Sequence, residues 1–78
     1  MTMATAKIGV IGAGAWGTAL AQVLSEGQDE LLLWAREPEV IDQINRTHEN
    51  QSFLPGHRLR NNIHATQDWD GVAACDIL

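Results

Sequence analysis

The 78-residue sequence predicts an α/β fold, the N-terminal part of a doubly wound parallel sheet with helices on its faces. Two observations carry this expectation. Short apolar runs alternate with segments of helical periodicity, and glycine or proline stands at most of the junctions. The apolar runs are also nearly continuous, as in strands covered on both faces.

The elements run in chain order. Met1 to Ala6 is a small polar leader without pattern. Lys7-Ile8-Gly9-Val10-Ile11 reads as a buried parallel strand. Ala15 to Glu26 places Trp16, Ala19, Leu20, Val23 and Leu24 at helical spacing, with Gly27 where a left-handed C-terminal cap belongs. Glu30-Leu31-Leu32-Leu33-Trp34 is short and lies between punctuating residues, which favours a second strand. Pro38 suits the first turn of a helix, with Glu37 and Glu39 at the positive end of its dipole and Val40, Ile41 and Ile44 as its apolar stripe. Glu49 to Asn62 reads as a long polar connection, and Phe53-Leu54-Pro55-Gly56 is a turn within it. Asn62 to Ala65 reads as a short strand, Thr66 as the N-cap of a helix through Trp69, Val72 and Ala73, and Asp76-Ile77-Leu78 as the start of another strand. Residues 7–78 are expected to be a partial, truncated domain, the piece of something larger that precedes its C-terminal remainder.

Composition narrows the function classes. Hydrophobic residues make up 45% and charged residues 19%, with two prolines, which argues against disorder. Five basic against ten acidic residues leave a net charge of −5, so neither nucleic acid nor an anionic membrane surface is an expected partner. The single cysteine, Cys75, excludes an internal disulfide and a multi-cysteine zinc site, and fits a reduced, cytoplasmic setting. His48, His57 and His64 match no common ligand spacing, and no metal is expected. Ile8 to Ser25 is uncharged and contains Ala19-Leu20-Ala21, so a signal peptide is the competing reading of this stretch. Gly9, Gly12, Gly14 and Gly17 weigh against it, because glycine disfavours the helix such a segment needs. Membrane insertion is not expected: the run falls short of the ~20 apolar residues that span a bilayer.

Gly12-Ala13-Gly14-Ala15-Trp16-Gly17 is G-x-G-x-x-G. Placed after a strand, opening a helix and followed by a second strand, it becomes the dinucleotide fingerprint of a Rossmann domain. Gly12 permits the tight turn, Gly14 the approach of a pyrophosphate, and Gly17 the close packing of helix on sheet. Backbone N–H groups around Ala15 and Trp16 would face the phosphates at the positive end of the helix. Past the second strand, an acid would hold a ribose 2′-hydroxyl and an arginine a 2′-phosphate. Arg36 and Glu37 lie 19 and 20 positions beyond Gly17, so counting does not separate them. Arg36 is favoured as the first residue past the strand; the bland alternative is a solvated arginine paired with Glu37 or Glu39. Trp16 lies in the loop and is expected to wall the site, Trp34 to be packed, and Phe53-Leu54-Pro55 to plug the sheet edge.

Lys7 through Ala21, with Trp16 inside the glycine motif, resembles the opening of NAD(P)-dependent glycerol-3-phosphate dehydrogenases of the bacterial type. Leu33 to Glu39 resembles their second strand and turn. His48-Glu49-Asn50 through Phe53-Leu54-Pro55-Gly56-His57 resembles their long loop, and Ala74 to Leu78 the entry to their fourth strand. The resemblance implies an oxidoreductase interconverting glycerol 3-phosphate and dihydroxyacetone phosphate with NADP or NAD, feeding glycerophospholipid synthesis. It implies cofactor contacts at Ala15, Trp16 and Arg36, with alanine at 15 where bacterial members often carry serine. The implied partner is a small-molecule phosphate substrate, with a homodimer left open for the complete protein. The family's catalytic lysine and substrate residues would lie beyond Leu78, so no catalytic residue is assigned. The alternatives are another Rossmann dehydrogenase, a nucleotide-binding module without chemistry, or a flavin-binding domain, which usually wants an acid after the second strand.

Overall fold

The computed structural model describes residues 7–77; the leader at 1–6 and Leu78 lie outside the described residues. Strands β1 (Ile8–Ile11), β2 (Leu31–Trp34), β5 (Ile63–Thr66) and β6 (Asp76–Ile77) form one parallel sheet in the order β5-β2-β1-β6. Helices α1 (Ala15–Leu24), α2 (Pro38–Thr47) and α3 (Trp69–Ala73) connect them, as the alternating pattern predicts. The core lies around the two central strands, where Val10, Leu31, Leu33 and Ile63 are buried together with Val40 and Ile44 of α2.

The buried face of α1 differs from the expected stripe. Thr18, Ala21 and the C-cap Ser25 are the buried residues, whereas Trp16 and Val23 are 80% and 70% exposed. The reason is the close approach at Gly17, where an added Cβ would collide with the Gly12 carbonyl. A helix held that near the strand buries small side chains at the contact, so Trp16 and Val23 turn outward, while Leu24 at its C-terminal end packs against the core. α1 also ends at Leu24, and Gly27, with φ 79°, lies two residues past the cap.

α2 begins at Pro38 after the N-cap Glu37 and buries Val40 and Ile44, with Ile41 packed against the core. His48 closes it in a left-handed conformation (φ 58°), its N–H donating to the Ile44 carbonyl at 3.0 Å. The segment after His48 departs from the polar connection expected there. Glu49–Asn50 (β3) and Leu54–Arg58 (β4) pair as an antiparallel hairpin with an irregular register, and Leu59 just after it is buried. Alternation is absent because β4, Leu-Pro-Gly-His-Arg, is exposed along most of its length, so its pattern carries no strand signal.

Thr66 ends β5 rather than capping α3. The cap is Asp68, whose N–H donates to the Thr66 hydroxyl at 2.9 Å. The outer edge of β5 is covered by a side chain of α2. The Asn45 amide donates to the Ala65 carbonyl at 2.9 Å and accepts from the Ala65 N–H at 2.8 Å, as a neighbouring strand would.

Candidate functional site

The register of the sheet builds the site. Ile11 is level with Trp34, and Trp34 with Thr66, so the chain leaves β1, β2 and β5 at one common edge. Gly12 N–H donates to the Trp34 carbonyl at 2.9 Å, and Ala35 N–H to the Thr66 carbonyl at 3.0 Å. This is the carboxyl end of parallel strands, where open α/β sheets bind ligands.

A cleft of about 210 Å³ opens there, lined by Gly12, Ala13, Gly14, Trp34, Arg36, Glu37 and Phe53. Gly12 makes the turn out of β1 with φ 100°, a conformation that L side chains rarely adopt. Gly14 is the N-cap of α1 in extended backbone, and a Cβ added to it would meet nothing within 4 Å. The space beside Gly14 is therefore free for a ligand, while Gly17 is closed against the strand. No side chain caps the N-terminus of α1, and its first turn holds no acid. Among the described residues, the positive end of that helix and its first N–H groups are left without a compensating group.

The candidate residues divide in space. Gly12, Ala13, Gly14 and Arg36 share the cleft; Gly17 lies under the helix; Ala15 and Trp16 stand exposed on the first turn of α1 and do not line it. Trp16, expected to wall the site, does not line the cleft; Trp34 is packed as expected and also forms a wall of the cleft. Trp34 donates through Nε1 to the Gln67 carbonyl at 3.2 Å and packs edge-on to Trp69, with ring centroids 5.9 Å apart. Gln67 in turn donates to the Arg36 carbonyl at 2.8 Å, tying the end of β2 to the loop after β5. Phe53 belongs to the cleft wall as well, which departs from the plug expected over the sheet edge.

Arg36 and Glu37 both line the cleft. Arg36 is exposed, and among the described residues it has no ion-pair partner within 4 Å, so the bland pairing with Glu37 or Glu39 is not seen. Among the described residues no group of three or more potential metal ligands clusters.

Sequence reasoning assigned no role to Asn50, which is fully buried. Its Nδ2 donates to the Ala13 carbonyl and to the Thr18 hydroxyl, both at 2.8 Å, and its Oδ1 accepts from Phe53 N–H at 3.1 Å. The one available signal was a polar residue between the end of a helix and the Phe-Leu-Pro-Gly turn.

Comparison with known proteins adds to this geometry. The profile of the family described as NAD-dependent glycerol-3-phosphate dehydrogenase N-terminus matches residues 7–78. A glycerol-3-phosphate dehydrogenase [NAD(P)+] of Parvibaculum lavamentivorans is 53% identical over all 78 residues, and one of Caulobacter vibrioides is 54% identical over 72 residues, 92% of the chain. The chain spans 23% and 22% of those proteins. The crystal structure of glycerol-3-phosphate dehydrogenase from Coxiella burnetii superimposes with a TM-score of 0.80 at 30% identity, covering 92% of this chain and 23% of that one. The Plasmodium falciparum glycerol-3-phosphate dehydrogenase gives 0.79 at 34% identity, covering 86% and 21%. With matched sequence and superimposable fold over nearly the whole described chain, this protein belongs to the NAD-dependent glycerol-3-phosphate dehydrogenase N-terminal family.

Proposed function

We propose that the chain is the cofactor-binding segment of an oxidoreductase that interconverts sn-glycerol 3-phosphate and dihydroxyacetone phosphate using NAD(P)H. The observation that carries this reading is the cleft at the sheet's carboxyl edge, where Gly12, Ala13 and Gly14 face Arg36 and Glu37. Such a cleft fits a dinucleotide: the open space beside Gly14 admits a pyrophosphate, and the uncapped helix favours its charge. Ala13, Ala15 and Trp16 belong to the same turn, where backbone donors rather than side chains do the holding. Alanine at 15 is then no handicap. Gly17 contributes by keeping the helix start close to the strand. When bound, the nicotinamide carries the hydride exchanged with the substrate. The substrate-holding and catalytic groups lie outside residues 7–78 in this reading. Relatives named as glycerol-3-phosphate dehydrogenases support the substrate class.

Placement in the cytoplasm and a role in supplying glycerophospholipid synthesis belong to the same proposal. Among the described residues no helix is long and apolar enough to cross a membrane. The net charge of −5 speaks against a nucleic-acid partner.

Cofactor choice rests on Arg36. Its planar fork of donors suits a 2′-phosphate, so NADPH binds at least as well as NADH in this reading. Glu37, beside it in the cleft, is the rival, since a carboxylate there would hold the 2′-hydroxyl of NADH. The test is a set of dissociation constants for both cofactors with the full-length protein and its Arg36→Asp and Glu37→Ala variants. A charged hydrogen bond is worth about 1.5–3 kcal/mol, so Arg36→Asp weakens NADPH by about 10-fold or somewhat more at this exposed position. NADH is affected far less. Equal losses for both cofactors exclude Arg36 as the reader of the 2′ position, and an existing NADH preference eroded by Glu37→Ala assigns that role to Glu37.

A further inference from the structure

We infer that Asn50 is a positioning residue for pyrophosphate recognition, acting through the Ala13–Gly14 peptide; this rests on the dinucleotide reading above. Both hydrogens of the buried Asn50 amide are committed, one to the Ala13 carbonyl and one to the Thr18 hydroxyl, each at 2.8 Å. Its oxygen holds the Phe53 N–H at 3.1 Å. One side chain of the β3–β4 hairpin therefore grips the glycine turn, the first turns of α1 and the segment bearing Phe53, another wall of the cleft.

The consequence for binding comes from the planarity of the peptide unit. In a trans peptide the C=O and the following N–H point in opposite directions. Drawing the Ala13 carbonyl toward Asn50 therefore turns the Gly14 N–H away from Asn50. Among the described residues nothing accepts from that N–H. An uncommitted donor in a glycine turn, locked in orientation from behind, is what a phosphate oxygen requires. Without the Asn50 donor the peptide is free to rotate, and the ligand must order it on binding at a cost in affinity.

The experiment compares two ligands that share the adenosine end, ADP-ribose and adenosine, the first adding the diphosphate and a second ribose, titrated against the full-length protein by calorimetry or NMR. Asn50→Leu keeps the branched outline, with bulkier methyl groups, and removes both donors and the acceptor. ADP-ribose is expected to bind about 10-fold more weakly to it, with adenosine changed by less than about 2-fold. Thr18→Val leaves the bond to Ala13 in place and is expected to lower Tm without this selective loss. If Asn50→Leu does not fold, Asn50→Ala, which inserts no branched bulk, is read in the same way. Equal weakening of both ligands, or an unchanged affinity for ADP-ribose, overturns the inference and leaves Asn50 a structural residue. A wild-type protein that binds neither ADP-ribose nor a dinucleotide overturns the functional reading itself, so the two failures are distinguishable.

Discussion

Gly14 and Gly17 stand three positions apart in opposite surroundings, and substitutions at them separate ligand binding from folding. At Gly17 a Cβ would strike the Gly12 carbonyl, backbone that yields only if α1 moves off the sheet. Gly17→Ala is therefore expected to destabilise the protein by about 1–3 kcal/mol or more, measured by urea denaturation. At Gly14 a Cβ meets open space, and the backbone is already extended. Gly14→Val is expected to cost no more than about 1 kcal/mol as a poorer N-cap, yet to remove measurable NADPH and NADH binding by filling the space proposed for the pyrophosphate. Near-normal cofactor affinity in Gly14→Val would displace the phosphate site from this turn.

Individual elements are held by side chains that stand in for missing secondary structure. β5 ends the sheet on one side, and Asn45 supplies the donor and acceptor that a further strand would have offered to Ala65. Asn45→Ala leaves the buried Ala65 without those partners, and the expected destabilisation is about 1–3 kcal/mol. Amide exchange is the more specific check: the Ala65 N–H should lose protection before the central strands do. The C-terminal end of α1 is secured from the far side of the hairpin. Arg60 donates to the Gln22 carbonyl and to the Ser25 hydroxyl, and Asn62 donates to the Ser25 and Gln28 carbonyls. Of these acceptors, the Gln22 and Ser25 carbonyls belong to the helix end, which leaves such groups without internal partners.

At the scale of the whole molecule the two edges of the sheet are unlike. β5 is covered by Asn45, whereas β6 pairs only with β1 among the described residues, and Ile11 and Ile77 are exposed, as are Trp16 and Val23. Open edges and uncovered apolar groups promote association. Prepared by itself, the 78-residue chain is expected to self-associate at micromolar concentration, which sedimentation velocity reads directly; a monodisperse monomer with a cooperative melt is the opposite result. The same preparation is expected to show no turnover of dihydroxyacetone phosphate with NADPH, because in the proposed reading the cleft takes the nucleotide and none of its lining residues is assigned to a substrate.

The order of strands and helices, the glycine turn and the arrival of Arg36 and Glu37 at the end of β2 were legible in the sequence, because each depends on local pattern. Periodicity over four to ten residues decides an element, and a left-handed or crowded backbone position asks for glycine where it occurs. The hairpin, the buried hydrogen bonds of Asn50, the cover over β5 and the outward turn of Trp16 came only with the tertiary structure. Asn50 reaches Ala13 across 37 positions and Asn45 reaches Ala65 across 20, distances over which local pattern carries no information. The tryptophans show the physical reason most directly. On helical spacing Trp16 belongs to an apolar stripe, yet the contact of Gly17 with the strand buries the small Thr18, Ala21 and Ser25 of α1 and leaves Trp16 outside. Which face of a helix is buried is set by how closely its neighbour approaches, and that distance exists only once the chain has folded.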